Sequence, residues 1–245
     1  MLAEIKRLLR LLLRLLLRLL GIPAKGTVLK EDTVPTPRIE PTTTEPAAFS
    51  QLRPHTCERL IVDAAFREGA SLMQVAYLLA TAEHETGGVM VPNVENLNYT
   101  TPQRIMQVWP SRFKTLGDAE PFVRNPRALA NRVYNGRMGN RMGSDDGWTY
   151  RGRGLVHITG RGNYAKMGDI LGVDLVTDPD RALEPGIAVD CLVKGSLNGV
   201  YTGHPLSRYI NPDRVDLFGA RRVINSTDRA ADIAAKVESW HQLLL

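Results

Sequence analysis

The chain has 245 residues, 43% of them hydrophobic, which is enough for one globular domain and a tail. Its formal net charge of +5 favours attraction to acidic surfaces such as cell envelopes. The basic residues of the domain lack interleaved aromatic residues, which argues against a nucleic-acid partner. Only Cys57 and Cys191 are present, so a disulfide framework is excluded, and two buried free thiols are favoured over one disulfide.

The first 22 residues are rich in leucine and carry a stripe of arginines, Arg7, Arg10, Arg14 and Arg18, at helical spacing. Four charges argue against a simple membrane span, and the run lacks the unbroken apolar stretch and cleavage site of a signal peptide. We expect a basic amphipathic helix that lies in an anionic membrane interface or packs against another protein or copies of itself.

Residues 23–50 are rich in proline and threonine and contain few large apolar residues, which is typical of an extended linker. Beyond the linker, apolar residues recur at helical spacing. A folded catalytic domain is therefore predicted over residues 51–245.

The domain is predicted to be mainly α-helical. A first helix lies within residues 54–69, and a capping box of Ser71 and Gln74 opens a second helix that ends at Glu85 before two glycines. Proline and helical periodicity predict further helices over residues 102–108, 126–133, 163–171 and 185–197, and from about residue 226. Aromatic and β-branched residues among glycines in residues 147–160 predict a small hairpin.

Glu85 is predicted to be a general acid. Leu78, Ala82 and Glu85 share one face of an apolar helix, so the carboxyl group lies at the edge of a core. Burial and the partial negative charge of the helix C-terminus both favour its neutral form. Glu83 points away from that face and is expected to be a structural partner for an arginine.

Glu95 is predicted to be the complementary base. It lies in a polar loop with Asn96, Asn98 and Tyr99, where a carboxylate remains ionised and can activate a water molecule. Two carboxyl groups in different environments are what glycoside hydrolysis requires. The pair therefore predicts a hydrolase of a β-1,4-linked amino-sugar polymer.

Two other kinds of site are not favoured by the sequence. His84 has no second histidine four residues later, so we expect no metal site, and hydrolysis by two carboxyl groups requires no cofactor. Residues 160–165 read Gly-Arg-Gly-Asn-Tyr-Ala, and Asp180 follows, which is the outline of a dinucleotide-binding motif. The domain lacks the further strands of the parallel sheet that this motif needs.

Four stretches resemble the family 19 glycoside hydrolases, and above all their phage endolysin branch: residues 84–88 (HETGG), 95–99 (ENLNY), 130–140 (ANRVYNGRMGN) and 148–164 (WTYRGRGLVHITGRGNY). The resemblance covers about residues 52–240 and implies a lysozyme-like fold and an inverting mechanism. It implies that Glu85 is the acid, Glu95 the base, and Thr159 a holder of the attacking water. The positions expected to contact or support substrate are His84, Tyr99, Arg153, Asn163, Tyr164 and Asn225. Among these, Arg153 is expected to belong to a charged network behind the acid.

The chain departs from the family pattern at two places. His157 stands where the family often has glutamine, and Ser226 and Thr227 replace two glycines after Asn225. The second departure is expected to alter the shape of a substrate-contacting loop.

The favoured function is a phage lysin that cleaves the glycan strand of peptidoglycan, acting from the host cytoplasm on the periplasm and cell wall at lysis, with membrane association through residues 1–22 open. A chitinase of the same family is the first alternative. The second is a virion or scaffold component that the N-terminal helix docks to a particle, with local lytic activity or none.

Overall fold

The computed structural model describes residues 52, 53 and 55–245. The predicted amphipathic helix over residues 1–22 and the linker over residues 23–50 lie outside the described residues.

Ten α-helices follow one another in the described part of the chain: α1 (Glu58–Arg67), α2 (Leu72–Glu85), α3 (Pro102–Val108), α4 (Leu116–Ala119), α5 (Pro126–Tyr134), α6 (Asp146–Thr149), α7 (Arg161–Leu171), α8 (Pro185–Leu197), α9 (Leu217–Ala220) and α10 (Ala230–Leu244). Short 3₁₀ turns cover Glu120–Phe122, Pro179–Leu183, Leu206–Arg208 and Arg221–Val223. The prediction of a mainly α-helical domain is confirmed.

Local capping signals account for the helix boundaries that the sequence predicted best. The Ser71 hydroxyl accepts from the Gln74 N–H, and the Gln74 side chain accepts from the Ser71 N–H, so the predicted capping box is confirmed. The Thr101 hydroxyl accepts from the Arg104 N–H at the start of α3, without the reciprocal bond, and a proline opens α8. The prediction for the last helix was wrong by about one turn, because α10 begins at Ala230 rather than near residue 226.

The β structure differs from the predicted hairpin. Residues 146–149 form the short helix α6, and β2 (Arg153–Gly154) pairs antiparallel with the distant β1 (Asn93–Val94). Arg153 also forms a single bridge with Ile158, so the run of residues 155–157 is a tight turn rather than a strand. A separate hairpin of β3 (Ile210–Asn211) and β4 (Arg214–Val215) was not predicted.

The domain has a large and a small hydrophobic core. The large core is built around α2, in which every residue from Val75 to Ala82 is buried, and α10 packs along this helix. The small core lies beneath α3, α4 and α5, and its buried residues are Ile105, Phe113, Ala119, Leu129 and Val133. Two separately packed cores leave a groove where their surfaces meet, which is where enzymes commonly place a ligand site.

The two cysteines are both buried and free, as the sequence favoured. Burial raises the pKa of Cys57, and it raises the pKa of Cys191 to about 12, so neither thiol is a ready nucleophile. Among the helices of the described residues, none has the length and apolar character that crossing a bilayer requires.

Candidate active site

A cleft of about 820 Å³ lies along the boundary of the two cores. Trp109 and Tyr134, which pack on the small core, line one side, and Tyr201 and Ile224, which pack on the large core, line the other. Five of the predicted site residues line this cleft together: Glu85, Glu95, Thr159, Asn163 and Asn225.

Glu85 is the last residue of α2 and is 16% exposed. The guanidinium of Arg221 donates from Nη1 to its Oε1 at 2.6 Å, and that arginine is itself only 5% exposed. This hydrogen bond occupies Oε1 of the Glu85 carboxyl group. A proton carried by Glu85 therefore belongs on Oε2, the oxygen that Arg221 does not occupy.

Arg221 was missed by the sequence analysis, which assigned the charged network behind the acid to Arg153. Arg221 lies on a 3₁₀ turn far along the chain from α2, and its Nε donates to the Asp228 carbonyl oxygen at 3.1 Å. Two fixed acceptors hold the guanidinium in place, so it positions the Glu85 carboxyl group at the cleft surface.

His157 stands at the position where the family pattern often has glutamine. Its backbone is left-handed, with φ +48°, and its Nε2 lies 2.6 Å from the Asn93 side-chain oxygen on β1. Its Nδ1 lies 3.9 Å from Oε2 of Glu85. The imidazole therefore stands between β1 and the proposed proton-bearing oxygen of the acid.

Glu95 lies in the loop after β1, and two donors bind its carboxyl group. The Tyr134 hydroxyl donates to Oε2 at 2.8 Å, and the Gly152 N–H donates to Oε1 at 2.6 Å. Each oxygen of the Glu95 carboxyl group thus accepts one hydrogen bond. Burial, followed by the charge and hydrogen bond of Glu95, raises the pKa of Tyr134, so the hydroxyl keeps its proton and remains a donor.

The glycine at position 152 is required by close packing rather than by an unusual backbone angle. A Cβ there would lie 3.0 Å from the His157 Cβ and 3.3 Å from the Glu95 Cβ and carboxyl carbon. A side chain at position 152 would therefore require Glu95 and His157 to shift by a few tenths of an ångström.

Thr159, just before α7, and Asn163, in the first turn of α7, both line the cleft. The Thr159 hydroxyl donates to the His157 carbonyl oxygen at 2.8 Å, and the Asn163 amide donates to the Thr159 carbonyl oxygen at 2.9 Å. The Thr159 oxygen retains its lone pairs for a donor such as water. Asn225 also lines the cleft, and its side-chain oxygen accepts from the Ser226 N–H at 2.8 Å.

Two predicted substrate contacts lie in the interior instead. Tyr164 is fully buried, and its hydroxyl donates to the Arg151 carbonyl oxygen at 2.8 Å. Arg153 is 3% exposed and binds Asp180, backbone carbonyls and the Tyr164 hydroxyl. The direct substrate role for Tyr164 and the position of Arg153 behind the acid are therefore corrected: both support the loop that carries Gly152.

The remaining two predicted contacts lie outside the cleft lining. Tyr99 is half-buried and packs edge-on against Trp109, with ring centroids 5.3 Å apart, so it supports an aromatic residue that does line the cleft. His84 is half-buried on α2 and does not reach the cleft.

Glu83 is structural, as predicted, but its partner is not an arginine. Lys236 and the Trp240 indole N–H of α10 donate to its two oxygens, the indole at 2.7 Å. Burial pushes the pKa of Glu83 upward, but these hydrogen bonds outweigh it and hold the pKa below its usual value. Glu83 joins α2 to α10 and is not a second acid of the cleft.

The glycines of the dinucleotide-like run serve packing. Gly160 has φ +88°, and a Cβ there would lie 2.4 Å from that of Met138. The Gly162 N–H donates to the Met138 carbonyl oxygen at 2.8 Å. This close approach fixes the cleft-lining loop after α5 against the start of α7. The strands of the described residues form only antiparallel pairs, so the parallel sheet of a dinucleotide-binding fold is absent from this part of the chain.

Across residues 52–53 and 55–245, no group of three or more His, Cys, Asp or Glu side chains is arranged to hold a metal ion.

No family model matches the sequence. The chain is 43% identical over 104 residues to a glycosyl hydrolase family 19 domain-containing protein of Haemophilus influenzae, a match that covers 42% of this chain and 51% of that protein. The matched segment thus spans about half the length of the relative.

Among solved structures, a bacterial family 19 chitinase is 20% identical with a TM-score of 0.35, over 71% of this chain and 74% of that one. The Haemophilus relative carries the family name that the motifs at positions 84–88, 95–99, 130–140 and 148–164 predict. The predicted resemblance of this chain to the family 19 glycoside hydrolases is therefore confirmed.

Proposed function

We propose that the protein is a glycoside hydrolase that cleaves β-1,4 bonds in the glycan strand of peptidoglycan, and that it acts as a phage lysin. The observation that carries the hydrolase proposal is the joint placement of Glu85 and Glu95 in one cleft with different supporting groups. Two donors hold the Glu95 carboxyl group, whereas Glu85 has one oxygen unoccupied by Arg221.

In the proposed reaction, Glu85 donates a proton from Oε2 to the glycosidic oxygen as the bond from that oxygen to the anomeric carbon breaks. A water molecule, held by the Thr159 hydroxyl, attacks the anomeric carbon from the opposite face. Glu95 takes the proton that this water loses, so the configuration inverts and atoms and charges balance. Such a mechanism requires a separation of about 6.5–9.5 Å between the two carboxyl groups.

The first experiment compares wild type with the Glu85→Gln, Glu95→Gln double variant on permeabilised Gram-negative cells and on chitin oligomers. We expect the wild type to clear the cells with little action on chitin, and the double variant to do neither. Proton NMR of the first product should show the inverted α anomer. Action on chitin alone would assign a chitinase, and a folded wild type without either activity would favour the docked structural role.

Residues 1–22 are the basis for a proposed location at a membrane surface. Their arginine stripe would bind lipid phosphates, while their leucines would enter the interface, which would hold the enzyme beside the wall. Flotation of the full chain with anionic vesicles tests this. We expect the protein to float with anionic vesicles, and a smaller fraction of it to float with neutral vesicles. A chain that stays at the bottom of the gradient would instead favour a protein partner or self-association.

A further inference from the structure

Two arginines in the cleft have no acidic partner. Arg137 lies in the loop after α5, and Arg222 lies on the 3₁₀ turn before α10, so they reach the cleft from the two different cores. Both are exposed, and no ion pair or side-chain hydrogen bond joins either guanidinium to another described residue. Most arginines near an acid in this domain are paired, as Arg221, Arg153 and Arg141 are.

No carboxylate of the cleft lining forms an ion pair with either arginine. Glu85 is paired with Arg221, and Glu95 accepts hydrogen bonds from Tyr134 and Gly152. Asp228 is the remaining carboxylate of the lining, and it forms no ion pair with either arginine. A guanidinium presents a planar fork of donors that matches a carboxylate, so an unpaired arginine in a binding cleft is suited to an anionic ligand.

We propose that Arg137 and Arg222 recognise carboxylates carried by the glycan, and that they thereby select an acidic amino-sugar polymer over neutral chitin. This inference rests on the proposed glycosidase function. Chitin has only neutral N-acetyl groups, whereas peptidoglycan carries carboxylates on its stem peptides and, where these are removed, on the lactyl groups of muramic acid. The two sources share one chemistry but lie at different distances from the sugar ring.

The test uses the full-length protein and four substrates: intact sacculi, glycan stripped of its peptides by an amidase, the same stripped glycan with its lactyl carboxylates converted to methylamides, and chitin oligomers. A variant that no longer recognises the stem peptide should show a lower kcat/KM than wild type only on sacculi. Loss of lactyl recognition lowers it only on the stripped, unmodified glycan. The amide-blocked glycan and chitin report the reaction without an anionic ligand.

Arg137→Gln and Arg222→Gln are each expected to lower kcat/KM on one acidic substrate about tenfold, mainly through KM, since a hydrogen bond to a charged group is lost. On the amide-blocked glycan the change should be less than about twofold. Lysine at either position should restore part of the loss, because it returns the charge without the planar fork. Added salt should narrow the difference between wild type and variants.

Arg181→Gln is the matched control, because it removes the same charge from a half-buried arginine outside the cleft that pairs with Glu184. Equal losses on acidic and neutral glycans, or an equal loss in Arg181→Gln, would overturn the proposal while leaving the hydrolase assignment intact. Wild type without activity on any of the four substrates would refute the proposed function itself.

Discussion

Replacing Glu85 with glutamine is expected to reduce glycan hydrolysis by about 10² to 10⁴-fold, the usual contribution of a positioned general acid. The amide occupies nearly the same volume and its oxygen still accepts from Arg221, but it has no acidic proton for the leaving oxygen. The measurement is the rate of reducing-end release from peptidoglycan per folded enzyme molecule, with near-ultraviolet circular dichroism to check the tertiary structure.

Glu83→Gln is the matched control for this variant, since it makes the same change two residues earlier on α2. It weakens the contacts to Lys236 and Trp240 on α10 and is expected to lower thermal stability while leaving the rate per folded molecule within about twofold. If Glu85→Gln retained most of its activity and Glu83→Gln did not, the acid would be Glu83 and the proposed mechanism would be wrong.

Replacing Arg221 with methionine is expected to produce the largest loss of stability among single changes at the site. Arg221 is 5% exposed and Glu85 16%, so the variant leaves a largely buried carboxylate without its counter-charge. Breaking such a pair costs about 3–5 kcal/mol, and partial exposure of Glu85 places the value near the lower end. For a domain of this size we expect Tm to fall by about 6–12 °C.

The ion pair itself is isolated by the Arg221→Met, Glu85→Gln double variant. With the carboxylate removed, the double variant should be more stable than Arg221→Met alone, because no buried charge remains unpaired. Arg229→Met is the surface control: its pair with Asp232 is 3.2 Å long and both side chains are more than half exposed. That variant should lose less than about 1 kcal/mol, and an equal loss in the two single variants would contradict a special role for Arg221.

The boundaries of α2, α3 and α8 were predictable because the signals that set them are local. Ser71 and Thr101 accept from backbone N–H groups three residues later, and Pro185 has the fixed backbone angle that begins a helix. The same signals placed Glu85 at the end of an apolar helix. Its position at the edge of a core followed from periodicity alone.

Short β elements were less predictable, since two-residue strands depend on a partner elsewhere in the chain. β2 forms because Asn93 and Val94 lie beside it, not because residues 155–159 favour strand structure. Tyr164 shows the same limit. Its place in the motif predicted a substrate contact, but its side chain is buried and its hydroxyl binds the Arg151 carbonyl oxygen.

By itself, the sequence determined the seven longer helices, the two carboxyl groups and the resemblance to family 19 glycoside hydrolases, since capping, periodicity and motifs act over a few residues. Only the tertiary structure decided which groups support those carboxyls. Arg221 reaches Glu85 across 136 residues, and Tyr134 reaches Glu95 across 39. Such pairs form when separate helices pack into two cores, so their identity depends on three-dimensional proximity that no local spacing encodes.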